Sequence, residues 1–272
     1  MFVPRRLLPC IALLLVPALA PAVDIKDDPN SLTLQVTALE MLPRFQAAPE
    51  QLAALLKIAT DAPSKDVPRK PAKVSILYRK TLIELRDAYV NGDEDAITNK
   101  ASALEELRDK ENPDLDDDVD ITDTARKAAP AALKVFTPRQ VALYVVEFAE
   151  EFPNPLEKIS EAFDDARTLK GKDWDEARDV VADQLGWLIG GLDTAAETKI
   201  KKQVADLLDR AHALKDAEYK AKKDELTQQA KEIADAVGPT DVIRNFMERS
   251  VAELLSNPQT VPALEARLKK VK

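Results

Sequence analysis

Asp114, Asp116, Asp118 and Asp120 stand at alternate positions, and no other group of side chains in the chain is so suggestive of chemistry. The first ligands of a calcium loop alternate in this way, because hard divalent cations are held by carboxylate oxygens. An EF-hand loop starting at Asp114 would need glycine at its sixth position and glutamate at its twelfth. Val119 and Ala125 stand there instead. The run DKENPDLDDDVDITD, residues 109–123, therefore reads as a solvated acidic linker, and its four alternating aspartates as the metal candidates.

His212 is the single histidine, set between Ala211 and Ala213 near the end of a helical stripe. One histidine cannot build a histidine-rich metal site, and the chain has no HExxH or Cys/His spacing. A capping or packing role is expected, since positive charge is favourable at a helix C-terminus. No GxSxG elbow and no glycine-rich phosphate loop occurs. No catalytic residue, cofactor-binding residue or cofactor is therefore nominated. Gly186 and Gly190 enclose Trp187 at a spacing that lets helices approach closely. Asp183 and Asp193 flank that segment, so the expected contact lies in a soluble core.

The first residues look like an address. Arg5 and Arg6 precede the apolar run Leu7 to Leu19, small residues follow at Ala18, Ala20 and Ala22, and Asp24 begins the polar chain. That is the layout of a secretory signal peptide. The apolar run is about thirteen residues, short of the roughly twenty that cross a bilayer as a helix. We expect export to the periplasm or extracellular space, cleavage after Ala20 or Ala22, and no stable membrane span afterwards. Cleavage removes Arg5, Arg6 and Cys10, so Lys plus Arg falls from 39 to 37 against 48 Asp plus Glu. A mature charge of about −11 argues against nucleic acid or an anionic membrane as partner, because both call for clustered cations. A protein or peptide partner is compatible with it. Cys10 is the only cysteine, so no disulfide would remain and packing must hold the fold.

Six glycines, 5% aromatics and 32% charged residues describe a chain of helix formers. The expected fold is all-α, with about ten helices in successive antiparallel hairpins, as an irregular bundle or short solenoid-like array. Tyr78, Leu82, Leu85 and Tyr89 share one helix face, and Asn91-Gly92 can end that helix in the left-handed conformation. Residues 60–72 hold Pro63, Pro68 and Pro71 and read as a loop. Val141, Val145, Phe148 and Phe152 line another helix, opened by Thr137-Pro138. The expected organisation is a signal peptide (1–22), an N-terminal helical unit (23–108), an acidic linker (109–123) and a C-terminal helical unit (124–272). One continuous domain over 23–272 is the alternative.

Two internal echoes occur. Residues 166–174 parallel residues 211–219 at an offset of 45, aligning Ala166 with Ala211, Leu169-Lys170 with Leu214-Lys215, and Trp174 with Tyr219. Pro49-x-Gln51 and Pro138-x-Gln140 form the second.

Phe136-Thr137-Pro138-Arg139-Gln140 resembles the LTxxQ element of small periplasmic helical chaperones and metal-stress sensors, with Phe136 in place of leucine. Ala48-Pro49-Glu50-Gln51 is a poorer copy. Leu85 to Ala96, followed by Ala103, resembles the turn between the helices of a tetratricopeptide unit. The match is one residue short between Gly92 and Ala96, and the 34-residue period does not continue.

Together these features point to a non-enzymatic binding or structural module of the periplasm or envelope. A periplasmic chaperone or stress-sensing protein is the first alternative, and a carboxylate-dependent hydrolase the second. A binding module should show an exposed apolar or aromatic groove between hairpins, and a chaperone an apolar concave face and suppression of aggregation of an unfolded client. A hydrolase should show two carboxyls of raised pKa in one pocket.

Overall fold

The computed structural model describes residues 28–62, 64, 69–147 and 154–271. The expected leader, with Arg5, Arg6, Cys10 and both cleavage positions, lies outside them, as do Phe148 and Phe152. Among the described residues the chain is all-helical, with twelve helices and no strand.

Helix α1 (Pro29–Arg44) opens with Pro29 in its first turn and Asp28 as cap, whose carboxylate accepts from Ser31 N at 3.0 Å. The alternating Leu32, Leu34, Val36 and Ala38 are all buried in this one helix, which is therefore covered on several sides. Helix α2 (Pro49–Asp61) follows after a short turn. Helices α3 (Ile76–Asn91) and α4 (Glu94–Glu111) form the first hairpin, turned at Gly92, whose φ of 71° suits glycine.

Helix α5 (Asp123–Leu133) was not expected from the sequence. Thr122 caps it by accepting from Ala125 N, and its buried stripe is Ala125, Ala129 and Ala132. After it come α6 (Pro138–Glu147), α7 (Pro155–Thr168), α8 (Lys172–Gly190), α9 (Thr194–Ala213), α10 (Asp216–Ala234), α11 (Pro239–Ser256) and α12 (Thr260–Val271). The α9 cap is Asp193, which accepts from Ala195 N and Ala196 N. A carboxylate accepting two amides satisfies that end more fully than one hydroxyl.

Two large cores result. One gathers Leu39, Phe45 and Leu55 with Phe136, Tyr144, Val251, Leu255 and Leu264, so it draws on α1, α2, α6, α11 and α12. The other lies inside α7–α10, around Ile159, Phe163, Leu185, Leu188, Val204, Leu207 and Leu208. Gly186 and Gly190 let α8 lie directly on α9, as their spacing suggested. A Cβ on Gly190 would meet Glu197 N at 2.5 Å, and one on Gly186 would meet Glu197 O at 3.2 Å. No helix among the described residues is long and apolar enough to cross a membrane.

Candidate functional site

The acidic run is held by cations of the chain itself. Lys70 pairs with the Asp114 carboxylate, and Arg69 lies 3.6 Å from that of Asp116. The Arg69 guanidinium also donates to the backbone carbonyls of Asp116 and Asp118. The Lys70 ammonium beside Asp114 holds its carboxyl below the usual range. Buried Asn30 joins the two strands of chain, donating to Lys70 O at 2.7 Å and accepting from Asp116 N at 2.9 Å. Asp118 and Asp120 are exposed. The guanidinium thus takes carbonyl oxygens of the kind a calcium ion would use. Among the described residues, no three His, Cys, Asp or Glu side chains gather as metal ligands do.

His212 lies at a junction built from the first sequence echo. Its Nδ1 is 2.7 Å from Ala166 O at the end of α7; a carbonyl only accepts, so Nδ1 carries the hydrogen. Its ring stacks on Trp174, with centroids 4.5 Å apart and planes 10° apart. Arg167, the residue aligned with His212, makes the reverse set of contacts. It donates to Ala211 O at 3.2 Å and Leu214 O at 2.6 Å at the end of α9, and lies 5.0 Å over the ring of Tyr219. Arg167 also pairs with Asp216. Both helix ends pass into extended backbone at the aligned residues Leu169 and Leu214. At the same offset, buried Ile159, Phe163, Leu185 and Ile189 fall on buried Val204, Leu208, Ala230 and Ala234. The hairpins α7–α8 and α9–α10 are therefore related by an approximate internal twofold.

The second echo forms a junction of the same kind. Gln51 and Gln140 pair amide to amide, each Nε2 donating to the other Oε1 at 2.8 Å. Each Oε1 also accepts from a backbone amide at the start of its own helix, Ala48 N and Thr137 N, both at 2.9 Å. Gln51 donates further to Val135 O, and Gln140 to Gln46 O, each at 2.8 Å. Beneath the pair, Phe45 stacks on Phe136 at 4.4 Å and on Tyr144 at 5.0 Å. The Thr137–Gln140 element is thus part of a structural joint.

An open concavity with an apolar floor lies within one hairpin, between α9 and α10. It measures about 790 Å³ and is lined by Ile200, Ile233 and Ala236, with Lys199, Gln203, Asp206, Asp209, Arg210, Gln229 and Glu232 around them. Arg210 donates to Gln229 Oε1 at 2.7 Å, and Asp209 accepts from Arg178 at 3.1 Å. The floor is aliphatic, because Trp174 is buried and Trp187 is packed under α11. Sequence periodicity could mark Ile200 and Ile233 as inward-facing, but not that a cavity opens above them.

Glu248 on α11 is the one carboxyl that burial pushes upward among those with a shifted value, with Arg244 and Lys134 acting the other way. Its charged neighbours are cations, an arrangement unlike the paired carboxyls of acid–base catalysis. Compared with known proteins, the chain matches no family, no curated sequence and no solved structure.

Proposed function

We propose that the protein is an exported, non-enzymatic binding module of the periplasm or envelope, and that it holds a protein or peptide segment between α9 and α10. The observation that carries this reading is the groove, with an aliphatic floor inside a ring of charged and amide side chains. Peptide-binding sites commonly combine apolar contact with a polar rim in this way.

The test is a titration of fluorescein-labelled peptides of varied charge and helical propensity into the mature protein. Saturable binding is expected for at least one, weakened at least about tenfold by Ile233→Glu, a loss of about 1.4 kcal/mol. Failure of every peptide to saturate by about 1 mM would remove the reading. Export is tested separately: the mature protein should begin at Pro21 or Val23 in an envelope fraction. An intact N-terminus in the cytoplasmic fraction would overturn it.

One observation favours the chaperone alternative. Helix α6 leaves Ala142, Leu143 and Val146 exposed, whereas the matching outer positions of α2 are Ala53, Ala54 and Lys57. On this reading the protein suppresses aggregation of an unfolded client, and Leu143→Lys with Val146→Lys abolishes the effect. Equal suppression by that variant would sink the alternative.

A further inference from the structure

We infer that the groove between α9 and α10 takes a cationic amphipathic helix, seated as α11 is seated on the opposite flank of the same bundle. This rests on the binding-module reading above and names the class of partner.

The N-terminal ends of α7 and α9 and the C-terminal ends of α8 and α10 share one end of the bundle. On one flank of that end α11 crosses. Its Asn245 donates to Leu188 O at 2.9 Å and Ile189 O at 3.3 Å, Phe246 packs on the Trp187 ring, and the Arg249 guanidinium lies 4.7 Å over that ring. The twofold that exchanges Arg167 with His212 carries this flank onto the α9–α10 flank. Leu188 falls on Ile233, Trp187 on Glu232, and Gly191 on Ala236. Those three matching residues line the groove. The chain therefore displays a worked example on the matching face, a helix laid across the C-terminal end of α8 with Asn245 and Phe246 inward.

Under the residues that α11 touches, the large chemical change sets the local charge. Where α11 rests a guanidinium on Trp187, the open flank offers the exposed Glu232 carboxylate, which accepts from Gln228 Nε2 at 3.2 Å. Asp206 adds a second carboxylate to the same rim. A cation at the position of Arg249 would meet a carboxylate there in place of an aromatic face. Asp209 is paired with Arg178, and Lys199 and Arg210 place cations elsewhere on the rim, so the preference rests on the carboxylate at the matched position itself.

The probes are two labelled peptides of about eighteen residues, the length of α11, with one leucine face and a polar face of either lysine or glutamate. A third carries a central proline in the lysine sequence. The lysine peptide is expected to bind at least about tenfold more tightly than the glutamate and proline peptides at low salt, and to weaken as salt rises. Glu232→Lys with Asp206→Lys should reverse the charge preference, and both sites are solvent-facing, so thermal unfolding verifies that each variant is folded. Equal binding of both charges, or no reversal, would overturn the cationic class. Equal binding of the proline peptide would overturn the helical class. In either case sensitivity to Ile233→Glu would leave the binding-module reading standing. Binding that ignores Ile233→Glu would remove both.

Discussion

At the corner that joins α1–α2 to α5–α6, glutamine faces glutamine and phenylalanine faces phenylalanine. Where α7–α8 meets α9–α10, arginine faces histidine, and their aromatic supports are tyrosine and tryptophan. Both junctions do the same physical work. Each supplies donors to backbone carbonyls near helix ends and lays flat groups against one another. The first does so with matched neutral side chains, the second with a permanent cation opposite an imidazole. What the two junctions share is therefore a donor and a planar surface at a given place, while the residue type is free to change.

The largest effect should come from the aromatic floor of the first junction. Phe45 stacks on two rings, so Phe45→Ala is expected to cost about 3–5 kcal/mol in chemical denaturation. A loss under about 1 kcal/mol would mean the stack is not what holds that corner.

At the second junction, Arg167→Ala should cost about 1.5–3 kcal/mol, since it frees two carbonyls and an ionic partner. His212→Ala removes one hydrogen bond and one stack and should cost less, about 1 kcal/mol. The reverse order would break the asymmetry. His212→Arg sharpens it: an arginine there should reach Ala166 O as Arg167 reaches Ala211 O, with stability kept within about 0.5 kcal/mol.

A double-mutant cycle on Gln51→Ala and Gln140→Ala should give a coupling of about 0.5–1.5 kcal/mol. Additive losses would show that each glutamine acts only as the cap of its own helix.

The smallest effect concerns α11, which touches both regions. Burial raises the Glu248 carboxyl, so the folded state binds its proton more readily than the unfolded chain. Stability is then lost as pH rises from the unfolded value, about 4.3, through the folded one, and the cost persists at neutral pH. Glu248→Gln should raise the melting temperature slightly at pH 7 and leave it unchanged at pH 3. A lower melting temperature at pH 7 would show that Arg244 and Lys134 outweigh the burial.

Much of the second region was legible in the sequence. Its helices carry stripes of large residues, Ile159 and Phe163 or Val204 and Leu208, and its echo spans nine residues. Helix α5 was not legible, because its buried face is three alanines and Pro130 lies inside it. A stripe of small residues gives little periodic contrast, and a proline reads as a break. The fastening of the acidic run was hidden for another reason. Its cations, Arg69 and Lys70, come from a proline-rich stretch more than forty positions away. The groove depends on how α9 and α10 sit against each other, which the spacing along neither helix encodes.

The clasp at the chain's end has a consequence in time. Asn257 donates to Leu34 O across 223 positions, and Arg267 of α12 donates to Tyr89 O and Val90 O at the end of α3. The backbone of α1 and α3 is thus completed by residues made long after them. Contacts of such long sequence separation slow folding, since the loop between them must first close. Until α12 has emerged, the first core lacks a wall. A protein destined to be threaded through a membrane, as proposed here, would gain from that delay.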